Sequence, residues 1–574
     1  MLTENLIKKI VKHSVPLMRL YRWCRKQYKY YRYPNWNTIL ETERMLWQDA
    51  LKSSREGPKI LLATGHGSHM NGTIFESILA VALTLRRADV HLLYCDSFLP
   101  ACLMCEVGLM KPKDIACYGP TKYFCKNCFA PANSIYKSMG LAIHKYSEFI
   151  TEQDLAKAEE ISSKVSLAEI SQYLLDGIAI GEHAIAGALR YFATSSIENQ
   201  AWSEQVLRRY LKSSILTGYV MKNFFKTYKI NCVVCLHGIY VPHGIICEIA
   251  RNEKVRVVNW SLAYRKRTVI FSHHDTYHHT LMSEPTDKWE NLNLTPQLES
   301  DIMDYLISRQ RGGRDWITFS SKNPDEDLSI IAKKIGGIDF SKHCIGMLTN
   351  VAWDAQLHYP ANAFPNMKDW VLKTIKYFVN RPDLQLVIRV HPAEISGDIP
   401  SRQPIMKEIQ KAFPGLPKNV FIIKPKSRIS TYKVMEKCNA VIIYGTKTGV
   451  ELTSRGIPVI VAGEAWIRNK GLTIDAKSEE DYFKVLDRLP FPEGMTKEQI
   501  ERALKYAFHF FFRRMILISQ IEPTGGEPRY QIKVSSVRDF LPSSGGPGLD
   551  IICDGILSGS DFIYPAEKFF EDFE

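Results

Sequence analysis

Four short apolar segments in the carboxy-terminal half of the chain are each followed directly by polar residues that could bind a phosphate. After the first two segments these residues are Thr349, Asn350, Asp354, Arg389 and His391. An arginine supplies a fixed charge and a histidine a directed hydrogen bond, and both suit a monophosphate or diphosphate. We therefore predict an anion-binding edge in this half of the chain.

The third and fourth segments extend this pattern. The third leads into a turn and a helix start with Gly445, Thr446, Thr448, Gly449 and Glu451. Backbone N–H groups and hydroxyls in such a turn can cradle phosphate, and the glutamate would lie within reach of a ribose. The fourth supplies Glu464, Trp466, Arg468 and Lys470, which we predict to close over the ligand. A His-Pro strand end or a Gly-Thr helix cap is often only structural, but the succession of four such ends favours binding.

The elements that must position these residues follow from the apolar pattern. From residue 344 onward, nearly all-apolar strands alternate with helices, which predicts a parallel, doubly wound sheet with ligands at the carboxyl ends of its strands. In the amino half, residues 59–63, 73–86 and 90–94 predict a strand, a helix and a strand. Both halves are therefore expected to be α/β domains.

Between and after these domains the composition changes. Residues 308–328 are rich in Gly, Ser, Asn, Asp and charge, which predicts a linker. Residues 498–521 predict a long helix whose aromatic cluster at 506–512 is either buried or facing a membrane, and the last fifty residues predict a loosely structured extension.

The amino half contains two Cys-x-x-Cys pairs separated by nineteen residues, which is the spacing of a zinc ribbon. The four predicted ligands are Cys102, Cys105, Cys125 and Cys128. Cys95 and Cys117 lie near enough to replace one of them, and an iron–sulfur cluster would use the same residues. The alternative is that all are ordinary buried thiols. A metal here is predicted to be structural.

A second metal hypothesis concerns the segment SHHDTYHHT. His274 and His278 have helical spacing, with Asp275 between them, and could bind a catalytic metal. The alternative is an exposed loop beside the ligand, and we favour that interpretation.

The formal charge of +13 is concentrated at the start of the chain, where residues 1–40 hold nine Lys or Arg and one Glu. Basic residues mixed with Leu, Ile, Trp and Tyr suit an anionic membrane surface, although a basic helix packed on the protein is the alternative. Nothing indicates nucleic-acid binding. The sequence shows no segment apolar enough to cross a bilayer and no secretory signal, so we expect a cytoplasmic, peripheral protein whose 13 cysteines are reduced.

Several stretches, among them LTNVAWDA, LVIRVHPAE, STYKVMEKCNAVIIYGTKTGVELTSRGIPVIVAG and RNKGLT, closely resemble the capsule polysaccharide biosynthesis protein family. The resemblance is strong over 345–512 and fair over 59–283. It implies a GT-B fold, in which two Rossmann-like domains face a cleft. The family includes transferases of 3-deoxy-manno-octulosonic acid (Kdo). Arg-x-His-Pro is also similar to the His-Pro motif of bacterial sialyltransferases and teichoic acid polymerases, which implies that His391, Thr446 and Thr448 contact a donor phosphate.

The resemblance further implies that the amino domain holds the acceptor and, in inverting enzymes, a general base. The candidate bases are His66, Asp96 and Glu182, and the candidate acceptor-binding residues are His69, His237, His243, Arg265 and Arg267. Asp96 as a helix cap and the histidines as parts of a polar turn are the structural alternatives. A retaining enzyme would need no such base.

These inferences predict four parts: a basic amphipathic segment at 1–50, an acceptor domain at 51–320 with a cysteine-rich insertion at 95–128, a donor domain at 340–495, and a helical extension at 496–574. The predicted function is transfer of Kdo or a related acidic sugar from a nucleotide sugar to a surface, capsular or lipid-linked acceptor, without a catalytic metal. The Kdo relatives favour a CMP-sugar, with UDP- and GDP-sugars left open. A nucleotide-sugar epimerase and a non-catalytic binding component are the alternatives.

Overall fold

The computed structural model describes residues 33–120, 122–316, 318–319 and 323–569. Its amino-terminal sheet has seven strands in the order β15-β8-β7-β6-β1-β2-β3. These strands are β1 (Lys59–Leu62), β2 (Asp89–Tyr94), β3 (Ala142–Lys145), β6 (Cys232–Leu236), β7 (Arg256–Leu262), β8 (Thr268–His273) and β15 (Ile516–Leu517). The five strands β3, β2, β1, β6 and β7 run parallel to one another. Strand β8 is antiparallel to β7, and β15 is antiparallel to β8.

The carboxy-terminal sheet is entirely parallel, in the order β11-β10-β9-β12-β13-β14. Its strands are β9 (Cys344–Leu348), β10 (Gln385–Arg389), β11 (Val420–Ile423), β12 (Ala440–Ile443), β13 (Val459–Val461) and β14 (Ile474–Asp475). Almost every strand residue is buried because helices cover both faces of the sheet. The predicted α/β class with two doubly wound domains is confirmed.

Two short hairpins complete the strands: β4 (Leu174–Leu175) with β5 (Ile178–Ala179), and β16 (Ile521–Pro523) with β17 (Tyr530–Ile532). The helices before residue 320 are α1 (Trp36–Glu41), α2 (Arg44–Ser54), α3 (Met70–Leu85), α4 (Pro112–Tyr118), α5 (Lys122–Met139), α6 (Glu152–Lys164), α7 (Gly181–Phe192), α8 (Ser203–Thr227), α9 (His243–Asn252), α10 (Tyr277–Ser283) and α11 (Pro296–Arg311). Those that follow are α12 (Leu328–Lys334), α13 (Met367–Val379), α14 (Ala393–Ser396), α15 (Ile405–Ala412), α16 (Thr431–Met435), α17 (Thr448–Thr453), α18 (Glu479–Leu486), α19 (Lys497–Phe508) and α20 (Gly546–Ser558).

The carboxy-terminal extension differs from its prediction in two ways. The long helix ends at Phe508, and a π-helical turn at His509–Arg513 leads into β15, which pairs with β8 of the amino-terminal sheet. Within the last fifty residues, Gly546–Ser558 form α20, which buries Leu549, Ile552 and Ile556, so this part is not loosely structured. The chain therefore returns from the second domain to pack on the first.

The aromatic cluster lies in the protein core. Phe508, Phe511 and Phe512 are buried together with Phe510, which is 1% exposed. Of the two alternatives, burial is confirmed, and a role for Phe510 at a membrane surface is wrong. None of the described helices combines the length and apolar character that crossing a membrane requires. Residues 1–32 of the predicted membrane-binding segment lie outside the described residues.

Candidate functional site

The carboxyl ends of the carboxy-terminal strands open onto two adjoining cavities. The larger, ≈ 590 Å³, lies between the two domains, and the smaller, ≈ 150 Å³, is bordered by Arg309, Asp315 and Phe319 and by residues 427–432. Both cavities are lined by Phe319, His391, Thr446, Lys447 and Thr448. A ligand that spans both cavities must therefore pass these side chains.

The strand order explains why polar residues meet here. Chain connections run from β9 outward through β10 and β11 and then resume on the other side with β12, so a topological switch point lies between β9 and β12. Asn350, after β9, donates from Nδ2 to the carbonyl of Gly445, after β12, at 2.6 Å. Thr349 Oγ1 accepts from the amide of His391 at 3.1 Å. Three strand ends are thus joined around one crevice.

His391 is held as a neutral hydrogen-bond donor. Its Nδ1 accepts from the amide of Ala393 at 3.1 Å, so the neutral ring carries its proton on Nε2. Burial, with the nearby charges of Lys447 and Arg389, lowers the pKa of His391 to about 4. The ring edge packs against Phe319, with ring centroids 5.2 Å apart. A neutral Nε2–H beside both cavities suits an anionic oxygen.

Two hydroxyls stand at the turn that follows β12. Thr446 Oγ1 lies 3.2 Å from Thr448 Oγ1 and accepts from the Thr448 amide at 3.3 Å, where α17 begins. Both side chains line both cavities. Gly449 lies beneath, where a β-carbon would approach Ile443 to 2.7 Å. Gly449 therefore serves close packing, whereas the threonines face the cavities.

The smaller cavity is strongly basic. Arg309, Arg389, Arg428 and Lys447 line it, with Asp315 as the acidic residue among its described lining. Arg389 donates to the carbonyls of Lys424 and Ser427 and to Thr431 Oγ1, at 2.6, 3.4 and 3.2 Å. This arginine therefore shapes the cavity wall and adds positive charge without being the most available donor.

Lys447 is a functional candidate that the sequence analysis missed, although it stands inside the motif that drew attention to its neighbours. It lines both cavities, its Nζ lies 4.8 Å from the ring centroid of Tyr264, and burial lowers its pKa. A partly dehydrated ammonium attracts an anion more strongly than an exposed one. The sequence prediction considered only hydroxyls and backbone N–H groups in this turn, and the direction of the lysine side chain depends on distant residues such as Tyr264.

Glu451 does not face a ribose. Its carboxylate is fully buried, accepts from the Tyr432 hydroxyl, and lies 3.3 Å from Arg309 Nε and 3.4 Å from Lys447 Nζ. Despite burial, these positive charges and the hydrogen bond lower the pKa of Glu451 to about 2. Its role in this structure is to hold Arg309 and Lys447 at the cavity wall.

The fourth strand end divides into residues that line the interdomain cavity and residues that brace it. Glu464 and Trp466 line it, and Trp466 Nε1 donates to His278 Nδ1 at 3.2 Å across the cleft. Arg468 instead donates to the carbonyls of Gly463 and Ala476, and Lys470 to those of Met282 and Glu284. Because their donors are bound to backbone, Arg468 and Lys470 do not close over a ligand.

The amino-terminal wall of the large cavity carries His237, His278 and Arg190. Tyr240 lies beside this wall and joins the domains, since its hydroxyl donates to Asp354 Oδ1 at 2.5 Å and accepts from the Ala355 amide at 2.7 Å. Asp354 therefore lines the cavity and also fixes the position of the opposite domain.

The other predicted histidines of this domain lie behind the wall. His66 Nδ1 is 3.2 Å from His243 Nε2, which in turn is 2.7 Å from the carbonyl of Thr64. Burial lowers the pKa of His66 to about 3 and that of His243 well below its usual range. His69 accepts from the Gly72 amide and caps α3. None of the three belongs to the described lining of either cavity.

The predicted carboxylate bases are also engaged elsewhere. Asp96 accepts from the amide and hydroxyl of Ser147, at 3.2 and 2.5 Å, which is the capping role given above as the alternative. Glu182 accepts from the amide of His358 at 2.8 Å. Neither residue lines a cavity among the described residues, so the structure does not bring the three predicted bases together.

The two predicted acceptor-binding arginines are likewise outside the cavity linings. Arg265 is buried with its guanidinium 4.0 Å from the ring centroid of Phe512, and it donates to the carbonyl of Phe511. Arg267 lies in the tight turn between β7 and β8 and accepts from the Ile518 amide through its carbonyl. Among the described residues of the amino domain, Arg190 is the arginine that lines the larger cavity.

The predicted metal ligands do not converge within the described ranges. Cys102, Cys105 and Cys128 are buried, Cys125 is half-buried, and all are free thiols. No group of three potential ligand atoms within 4.8 Å of one another includes a cysteine among the described residues. His278 is hydrogen-bonded to Trp466, and His274 is absent from the cavity linings and from any such group.

With this geometry in place, the chain can be compared with known proteins. Residues 342–496 match the family model described as capsule polysaccharide biosynthesis protein. The resemblance predicted from the sequence is confirmed there. The matched segment contains all four strand ends, and thus His391, Thr446, Lys447 and Thr448. No curated protein matches the chain.

Among solved structures, the chain is similar to the beta Kdo 2,4 transferase KpsC of Thermosulfurimonas dismutans, with a TM-score of 0.31 and 13% identity, covering 48% of this chain and 79% of that one. It is also similar to the UDP-GlcNAc 2-epimerase of Neisseria meningitidis, with a TM-score of 0.25 and 11% identity over 78% and 98%. The spinosyn rhamnosyltransferase SpnG matches with a TM-score of 0.24 and 11% identity over 78% and 95%.

Proposed function

We propose that the protein is a glycosyltransferase of capsule or surface polysaccharide assembly, which transfers a sugar from a nucleotide-sugar donor to a glycan or lipid-linked acceptor. The observation that carries this proposal is the shared wall of the two cavities. A nucleotide sugar has a phosphate between its nucleoside and its sugar, and His391, Thr446, Lys447 and Thr448 stand between a small basic cavity and a larger interdomain one. The family match supports the biological setting.

In this proposal the nucleoside occupies the smaller cavity and the sugar points into the larger one. As the bond between sugar and phosphate breaks, negative charge grows on the leaving phosphate. The Nε2–H of His391, the hydroxyls of Thr446 and Thr448 and the charge of Lys447 are positioned to stabilise it. These protein groups would stabilise the leaving phosphate without a catalytic metal.

The acceptor then enters the larger cavity opposite the amino-terminal wall. Arg190 offers a cation there, and His237, whose pKa is lowered by burial, offers a neutral imidazole. If the transfer inverts configuration, His237 is the proton acceptor that we propose in place of His66, Asp96 and Glu182. We propose Kdo or a related acidic sugar, carried on CMP, as the donor.

Isothermal titration with CMP, CDP, UDP and GDP tests the donor site. We expect CMP to bind and His391→Ala to weaken its binding. Absence of binding by all four nucleotides would overturn the donor-site assignment. Incubation of the CMP-sugar with and without a glycan acceptor then separates the candidate activities. Transfer requires the acceptor, an epimerase alters the sugar without it, and a binding component leaves the sugar unchanged.

We further propose that the basic residues of 1–40 hold the protein at an anionic membrane surface, near a lipid-linked acceptor. Deletion of residues 1–32, which contain all nine of these Lys and Arg and leave the buried Trp36 of α1 in place, should reduce partition to vesicles that contain anionic lipid and leave CMP affinity unchanged. Equal partition of the full and truncated chains would contradict this part of the proposal.

A further inference from the structure

Three potential metal ligands meet behind the amino-terminal wall of the interdomain cavity. Glu182 and His183 lie in the first turn of α7, and Glu248 lies in α9. One ligand atom from each lies within 4.8 Å of the other two, and among the described residues no other three His, Cys, Asp or Glu side chains are gathered so closely.

The histidine of this group shows which kind of partner it lacks. His183 is 1% exposed, and its Nδ1 is 2.5 Å from the carbonyl of Ile239. Because a carbonyl only accepts, Nδ1 carries a proton, and Nε2 faces the carboxylates either as a lone pair or as a second N–H. Nε2 has no hydrogen-bond partner and lies 3.7 Å from Glu248 Oε1. A buried imidazole nitrogen beside carboxylates favours a positive charge there, which a proton on Nε2 or a bound cation supplies.

The local charge leaves room for that cation. Glu182 and Glu248 contribute two negative charges, and Arg251, which pairs with Glu248 Oε1, contributes one positive charge. Glu182 Oε2 accepts from the His358 amide, while Glu182 Oε1 and Glu248 Oε2 have no hydrogen bond to the described residues. One imidazole nitrogen and two carboxylate oxygens form a donor set that suits Zn²⁺ or Mn²⁺.

We propose that Glu182, His183 and Glu248 bind a divalent transition-metal ion, with the carbonyl of Ile239 orienting the imidazole. Ligand atoms around tetrahedral zinc lie roughly 3.3–3.6 Å apart, given bonds of about 2.0–2.2 Å. Binding therefore draws the carboxylates inward by about 1 Å, which the flexible glutamate side chains allow.

The position of this site indicates what the ion does. His183 is tied to the loop that carries His237 and Tyr240, and Glu182 is tied to the backbone of the opposite domain. A bound ion fixes the acceptor wall of the cleft against the donor domain. It lies apart from the residues that we place at the donor phosphate and takes no part in the transfer itself.

The test uses the full chain, stripped with a chelator and titrated with ZnCl₂ by calorimetry and with Co²⁺ by absorption spectroscopy. We expect one ion per chain whose cobalt spectrum lacks thiolate charge-transfer absorption, which separates this site from the cysteines. Glu182→Gln and Glu248→Gln should weaken this binding at least about tenfold, and zinc should raise the melting temperature of the parent but not of these variants.

The control variant is His91→Ala, which removes another buried histidine that contacts a carboxylate, that of Asp89. It should retain the ion. Both glutamate variants keep the side-chain length, so their folding can be checked by their melting temperatures without metal. A parent protein that binds neither Zn²⁺ nor Co²⁺ at a thiolate-free site, or glutamate variants that bind them as well as the parent, would overturn the proposal.

Discussion

The two domains have the same kind of topological switch point, but they use it differently. In the carboxy-terminal sheet it lies between β9 and β12, and small or hydroxyl-bearing residues there leave two cavities open. In the amino-terminal sheet it lies between β1 and β6, and His66 and His243 fill it by contacting each other. Strand order indicates where a site can form, whereas side-chain volume decides whether a cavity remains.

This contrast assigns different roles to polar residues in the two domains. Substitutions at the carboxy-terminal switch point, which leaves cavities open, should change ligand binding. Substitutions of buried polar residues around the amino-terminal switch point, which is filled, should change stability or its dependence on pH. The predictions below test that division, beginning with the largest expected effect.

His391→Ala removes the Nε2–H donor from the open switch point. A hydrogen bond to a charged group contributes about 1.5–3 kcal/mol, so we expect CMP affinity to fall on the order of 10- to 100-fold in calorimetry. The matched control is His343→Ala, because His343 is exposed and precedes β9 at the opposite edge of the same sheet. Equal CMP affinities of the two variants would contradict the role of His391 in ligand binding at the carboxy-terminal switch point.

Glu76→Gln tests the amino-terminal switch point, which side chains fill. Burial raises the pKa of Glu76 to about 7, while Thr64 Oγ1 and Trp260 Nε1 donate to its carboxyl group. The folded state holds this proton more tightly than the unfolded state does, so stability is lost as pH rises from 4.5 through about 7, by at most roughly 3 kcal/mol.

Glutamine cannot ionise, and its carbonyl oxygen can accept from the same two donors. Melting temperatures measured from pH 5 to 8 should therefore fall less steeply for Glu76→Gln than for the parent protein, with CMP affinity unchanged at pH 7. A pH dependence identical to that of the parent would show that Glu76 is not the group responsible.

Tyr240→Phe removes the hydroxyl that joins the domains through Asp354 and Ala355. The bond to the Asp354 carboxylate is charge-assisted and the bond from the Ala355 amide is neutral. Together they contribute about 1–3 kcal/mol, so the melting temperature should fall by roughly 1–4 °C. Tyr118→Phe, at a residue that is 78% exposed, is the control and should leave it unchanged. A Tyr240→Phe variant as stable as the control would indicate that this contact does not hold the cleft together.

Asp96→Asn should have the smallest effect. Its carboxylate caps the backbone and hydroxyl of Ser147 outside both cavities, so we expect transfer activity within about twofold of the parent. A loss of activity by several orders of magnitude would indicate that Asp96 is a general base after all. It would also contradict the assignment of purely structural roles to the polar residues around the amino-terminal switch point.

The success of sequence reasoning also differed between the two domains. In the carboxy-terminal half, the alternation of apolar strands with helices located the strand ends, and Asn350, His391, Thr446 and Thr448 do line the cavities. Glu451, Arg468 and Lys470 share those motifs but are engaged in buried contacts. The direction of a side chain depends on neighbours that are far away in sequence, such as Arg309, and local spacing does not specify them.

By itself, the sequence determined the α/β class, the parallel carboxy-terminal sheet and the edge at which its polar residues gather, because these follow from local periodicity and strand connection rules. The tertiary structure alone decided that the last helix packs on the amino domain, that His237 rather than His66 faces the cleft, and that Glu182, His183 and Glu248 meet. These contacts join segments that are distant in sequence, and the way the segments pack together selects them.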